Sequence, residues 1–207
     1  MSDELAAILS VIAIWSIAVV TPGPNTLIVA HTTMSQGRAV AARLVVGTLA
    51  ATAGWVVFGL FGLTALVAAA PDALAVGKVV GGAYLAYLGI RLLWKTRQRR
   101  AFEPNPADAP PLAHPFRVGF LTNATNPKTA AFIASIFVAS FPAHPEPWLD
   151  AVVLAIMLTM SASWYAIMMV VLGRPTFARA YRRARVWIDR AAGAIFLGFG
   201  VRLATAD

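Results

Sequence analysis

The sequence contains no cysteine, which excludes disulfides, thiol redox chemistry and cysteine-based metal sites. It is also poor in charge: Asp, Glu, Lys and Arg make up 13% of its 207 residues, against 59% hydrophobic residues. A water-soluble domain of this composition would have too little polar surface to cover itself, so the chain belongs in lipid. Carboxylates are scarce where they would matter most. Asp72, Asp150 and Asp189 all stand at the ends of apolar stretches, none inside one. His31, His114 and His144 are scattered and lack ligand spacing, so neither a metal nor a cofactor is expected. A secretory leader is not expected, because Asp3 and Glu4 occupy the place of its basic segment and the apolar run that follows is too long. The first segment is therefore expected to remain as a span.

What the chain has is hydrophobic length. Apolar stretches fall at 5–31, 39–70, 73–95, 117–141, 148–172 and 186–205, each long enough to cross ~30 Å of hydrocarbon. The second and third are parted only by Ala70, Pro71 and Asp72. The expected fold class is all-α: a polytopic membrane protein with about six transmembrane helices, in a single domain over residues 1–207.

The net charge of +8 is explained by topology, and nucleic acid is not an expected partner. Arg38 and Arg43 mark the first connection. Arg91, Lys95, Arg97, Arg99, Arg100 and Arg117 mark the third, and Arg174, Arg179, Arg182, Arg183, Arg185 and Arg190 the fifth. Basic connections stay in the cytoplasm, which puts both termini outside. The arginine- and aromatic-rich segment 174–190 suits contact with anionic lipid, and Trp94, Trp148 and Trp187 suit interfacial anchoring. Gly47, Gly54, Gly59, Gly62, Gly77 and Gly81 suit close helix packing.

Residues 96–116 combine charge with five prolines and read as a cytoplasmic linker between two halves, 1–95 and 117–207. With three spans each, the halves enter the membrane from opposite sides. Laying Val79–Leu92 over Arg190–Leu203 pairs Gly82 with Gly193, Ala83 with Ala194, Gly89 with Gly200, Arg91 with Arg202 and Leu92 with Leu203. These matches suggest a 3+3 inverted repeat.

The polar chemistry sits at two prolyl interruptions. In span one, Thr21-Pro22-Gly23-Pro24-Asn25 removes two backbone donors and leaves the carbonyls of Ala18 and Val20 without helical partners. In span four, Pro127 frees the carbonyl of Asn123, and Thr122 to Thr129 carry six polar side chains in eight, including Asn123, Asn126 and Lys128. Helices one and four should thus be broken, and in lipid such breaks must be buried in protein or line a hydrated cavity. Lys128 lies too deep to face lipid, where a central lysine costs at least ~2.5 kcal/mol. With no acid inside any span, no buried counter-ion for it is expected in the chain. An ammonium beside positive helix ends makes a cradle for a carboxylate, while freed carbonyls and the amides of Asn25, Asn123 and Asn126 can hold an ammonium group. Together they suit a small zwitterion.

Thr21-Pro22-Gly23-Pro24-Asn25, the run from Gly82 to Gly89, and Gly119-Phe120-Leu121-Thr122-Asn123 leading into Asn126-Pro127-Lys128 resemble the LysE/RhtB family of bacterial amino-acid exporters. The resemblance spans nearly the whole chain. It implies a six-helix inner-membrane protein, often a homodimer, that exports amino acids from the cytoplasm coupled to the proton gradient, and it implies no enzyme activity. The missing intramembrane acid argues for neutral substrates of the threonine, homoserine or leucine type, with basic amino acids or another small metabolite as the alternative. It also leaves Lys128 as the candidate proton carrier. Metal export would call for acids or histidines in the spans, and a membrane enzyme for a base near Ser135, Ser161 or Ser163. A non-transporting scaffold, with the prolines as mere kinks, is the remaining alternative of a different class.

Overall fold

A computed structural model describes residues 2–69, 73–98, 111–140 and 147–205. The turn at 70–72, most of the proline-rich linker, and His144 and Glu146 lie outside them. Among the described residues, eight helices run in the order α1 (Ser2–Val20), α2 (Pro24–Gln36), α3 (Arg38–Ala69), α4 (Ala73–Gln98), α5 (Pro115–Ala124), α6 (Pro127–Ser140), α7 (Pro147–Leu172) and α8 (Pro175–Ala204). Five of these eight begin on proline. Proline at a first helical position sacrifices no hydrogen bond, because that N–H has no intrahelical partner anyway. The same residue inside a span ends one helix and starts the next. Gly37, between α2 and α3, has φ +84°, a left-handed conformation that glycine adopts without strain.

Both prolyl interruptions break their spans. α1 and α2 are bent by 51° across Thr21–Gly23, and α5 gives way to α6 across Thr125 and Asn126. Among the described residues, two helical segments, Arg38–Gly62 and Trp148–Leu172, are individually long and apolar enough to cross a membrane. The bent pair Glu4–Val20 and Pro24–Gln36 meets that standard when its two pieces are taken together.

The apolar interior is divided in two. One cluster joins Val11, Trp15, Val56, Phe132, Phe137, Met157 and Phe196, and the other joins Val29, Leu44, Val45, Tyr165, Met168 and Leu172. α3 and α7 run through both. Between their two apolar stretches these helices present buried hydroxyls, Thr48 and Thr52 on α3 and Ser161 on α7. The break in the first span likewise sends α1 into one cluster and α2 into the other. A polar layer therefore lies across the middle of the bundle, level with the breaks.

Close backbone approaches fix two helix pairs. Gly82 and Gly89 of α4 face Gly200 and Gly193 of α8, and Gly47 of α3 and Gly119 of α5 each face the other helix's backbone. Of the glycines expected to pack tightly from sequence, Gly47 and Gly59 do, Gly59 against Phe137 and Ile133. Among the described residues, Gly54 meets nothing within 4 Å and Gly62 meets only Phe58 of its own helix.

A Cβ at Gly119 would overlap the Leu44 carbonyl. Gly119→Ala is therefore expected to destabilise the protein by about 1–3 kcal/mol, as overpacking does. Gly54→Ala should leave stability unchanged or slightly raised, since it meets nothing and favours helix. Thermal unfolding of the two purified variants in detergent checks the contrast.

Candidate functional site

The polar layer is organised around Asn123, which is fully buried near the end of α5. Its Nδ2 donates to the Thr48 carbonyl at 2.8 Å and to Thr52 Oγ1 at 2.8 Å. A carbonyl can only accept, so the amide orientation is fixed, and Oδ1 must face Asn25 and Thr129. It accepts from Asn25 Nδ2 and from Thr129 Oγ1, both at 2.7 Å. With two donors and two acceptors used, the Asn123 side chain is saturated.

That saturation determines what Asn25 can do. Its Nδ2 is turned toward Asn123, so its Oδ1 points the other way, and this oxygen is buried without a hydrogen-bond partner among the described residues. Buried acceptors are nearly always paired, which makes an orphan of this kind informative. It borders a cavity of about 30 Å³ that Thr26, Asn126, Lys128 and Tyr165 also line.

Two of the three carbonyls freed by proline, those of Asn123 and Ala18, have partners within the chain. That of Asn123 accepts from the Trp55 indole at 3.2 Å and from the Asn126 N–H at 3.0 Å. Asn126 also caps α6, its Oδ1 accepting from the Lys128 N–H at 3.0 Å. That of Ala18 accepts from Lys128 Nζ at 2.9 Å, and the same ammonium donates to the Thr21 carbonyl at 2.6 Å. The Lys128 ammonium also stands 5.5 Å from the centre of the Phe196 ring. A Cβ at Gly23 would sit 3.0 Å from the lysine Cδ, so the glycine leaves room for the side chain to reach the first break.

On the other side of Lys128 lies a larger chamber of about 220 Å³. It shares Gly23, Asn126 and Lys128 with the small cavity and adds Pro22, Pro24, Pro127, Arg91 and Asp189. Asp189 corrects a reading of the sequence. It was placed at the edge of the last span, but α8 begins at Pro175, which puts Asp189 near the middle of a 30-residue helix and 4% exposed. It has a partner inside the protein.

A model of the LysE type translocator family matches residues 16–207. The chain belongs to this family. It is 31% identical over 194 residues to an uncharacterized membrane protein of Pseudomonas aeruginosa, covering 91% of this chain and 90% of that one. It is 28% identical over 202 residues to the threonine efflux protein of Escherichia coli K12, with 96% and 98% covered. The threonine efflux protein of Salmonella typhi is 27% identical over 190 residues, with 90% and 92% covered. No solved structure matches the chain. Translocator family, membrane-protein relatives and apolar helices together make this a multi-pass bacterial membrane protein.

In this translocator eight of the residues singled out by sequence, Pro22, Gly23, Pro24, Asn25, Asn123, Asn126, Pro127 and Lys128, line one or both of two adjoining spaces, and Thr21, which lines neither, meets the Lys128 ammonium through its carbonyl. The sequence reading missed Thr48, Thr52, Trp55, Thr129, Tyr165, Arg91 and Asp189. Thr48 and Thr52 carried a usable signal, since two hydroxyls at helical spacing in an apolar run share one face.

Replacing Asn123 strands several buried groups at once. Asn123→Leu is expected to lower stability by about 2–5 kcal/mol, because each deserted polar group costs roughly 1–3 kcal/mol. Asn123→Asp should also destabilise, since a carboxylate cannot donate to the Thr48 carbonyl. Thermal unfolding in detergent measures both.

Proposed function

We propose that this translocator exports amino acids from the bacterial cytoplasm as a secondary transporter, with its substrate held between the two helix breaks. The observation that carries the reading is the unpartnered Asn25 Oδ1, buried beside Lys128 at the junction of the broken helices. An acceptor without a donor and an ammonium within reach of the same space are complementary to the two ends of a zwitterion. The threonine-exporting relatives support the same substrate class.

In this mechanism Asn25 Oδ1 accepts from the substrate ammonium, and the Lys128 ammonium holds the carboxylate near the positive end of α6. The Ala18 carbonyl, to which the sequence reading gave the amine, is already occupied by Lys128. Lys128 must therefore leave the carbonyls of Ala18 and Thr21 to take a carboxylate. Its ammonium lies on the boundary of both spaces, so a change of rotamer moves it between these duties. Coupling to protons belongs to the same proposal, with Lys128 as carrier. No carboxylate lines the small cavity among the described residues, which favours neutral substrates.

Six crossings complete the reading, each broken pair counting as one, with an inverted 3+3 repeat, inner-membrane location and both termini outside. The α4 and α8 contact supports the repeat. If Gly82 corresponds to Gly193 and Gly89 to Gly200, a two-fold exchange turns the contact of Gly82 with Gly200 into that of Gly193 with Gly89. Both contacts are present.

Counterflow of threonine into proteoliposomes preloaded with threonine tests export against a scaffold role. Wild-type protein should accumulate label. Lys128→Ala should abolish uptake and Asn25→Ala reduce it about tenfold or more, with protein levels and monodispersity retained. Unchanged counterflow in Lys128→Ala would sink the proposed role of the lysine.

A further inference from the structure

The space between the breaks is the narrower of two adjoining spaces, about 30 Å³ against about 220 Å³ in the neighbouring chamber. In this conformation the roomier space lies on the far side of Lys128.

The chamber has charged poles and apolar walls. Arg91 comes from α4 and Asp189 from α8, while Leu88, Leu92 and Phe196 supply nonpolar surface. Their proximity follows from the glycine contacts. α4 and α8 run antiparallel and touch at Gly89 and Gly193, so Arg91, two residues beyond Gly89, and Asp189, four before Gly193, lie on the same side of that contact. At 1.5 Å per residue they stand only ~3 Å and ~6 Å along their helices from it. Neither residue has a role in the cavity between the breaks.

We propose that this chamber is a second amino-acid-binding compartment in series with the first, in which Asp189 accepts the substrate ammonium and Arg91 and Lys128 receive the carboxylate. The inference rests on the export reading and adds to it a binding position that does not use Asn25. Asp189 already has a partner within the protein, but the two oxygens of a carboxylate leave further acceptor positions for an incoming ammonium. The apolar walls accommodate an aliphatic side chain. Lys128 is shared by both compartments, so the substrate carboxylate can keep one charge partner while the ammonium passes from Asp189 to Asn25. The charge rule that assigns the basic connections to the cytoplasm puts this compartment on the loading side.

Equilibrium binding of radiolabelled threonine to the purified full-length protein tests the compartment, with homoserine, leucine and lysine as parallel probes. Asp189→Asn should weaken binding about tenfold or more, and Asp189→Glu should recover part of the loss. Arg91→Gln, at an exposed position, should weaken binding by a similar factor and serves if the buried variant does not fold. Asn25→Ala, expected to reduce counterflow about tenfold or more, should still bind. Unchanged affinity in Asp189→Asn and Arg91→Gln, or joint loss of binding and counterflow in a folded Asn25→Ala, overturns the second compartment. Wild-type protein that neither binds nor counterflows any of the four probes overturns the export reading itself.

Discussion

The hydrogen bonds of one amide hold this protein's centre together. Asn123 of α5 reaches α3 through Thr48 and Thr52, α2 through Asn25, and α6 through Thr129. Its backbone carbonyl adds Trp55 of α3. Four helices thus meet at a residue with no solvent exposure. In a low-dielectric interior such a network is strong when complete and costly when a member is missing, because the partners cannot fall back on water. The orientation of Asn25, and with it the free acceptor that defines the candidate site, depends on Asn123 being fixed.

A polar layer of this kind would weaken a bundle built for stability alone. Thr48, Thr52 and Ser161 interrupt helices that are otherwise apolar from one core cluster to the other. Each hydroxyl has a hydrogen-bond partner, Thr52 on the Thr48 carbonyl and Ser161 on that of Met157, where the Trp15 indole also donates. Three buried side-chain atoms lack a partner among the described residues, Asn25 Oδ1, Asp150 Oδ1 and the Trp164 indole nitrogen, and of these Asn25 lines the small cavity. An unpaired acceptor beside an enclosed space is what a layer arranged around a ligand would show.

Much of this was legible in the residues, because proline acts locally. Pro22 and Pro127 foretell which carbonyls lose their helical partners, and the carbonyls of Ala18 and Asn123 are bonded by Lys128 and Trp55 instead. The convergence of Asn25, Asn126 and Lys128 likewise follows from polar residues that cannot face lipid. Long-range identities were not legible: nothing near Thr48 or Trp55 in the chain announces α5 as the partner. Asp189 was misjudged for a different reason. Hydropathy marks where apolar sequence starts, whereas α8 starts at Pro175, well before it, so an acid at the edge of one lies deep within the other. The lysine's own claim on the Ala18 carbonyl was also hidden, since reach across a bundle depends on the gap that Gly23 leaves.

The two breaks are not held alike, and this bears on how a translocator of this build can move. The α5–α6 joint is tied to α3 by the Asn123 side chain, its carbonyl and the backbone contact at Gly119. The α1–α2 joint is tied to the α5–α6 pair by the Asn25 amide and the two bonds of the Lys128 ammonium. Those are the groups to which the export reading assigns the substrate. A zwitterion that engaged Lys128 would release the Ala18 and Thr21 carbonyls and so loosen the first joint while the second stayed anchored. Substrate binding and opening then draw on the same hydrogen bonds, and a ligand shifts a conformational equilibrium only through such differential contacts. In this conformation the lysine that lines both spaces is bonded to the first joint's carbonyls, so a carboxylate and the joint compete for one ammonium.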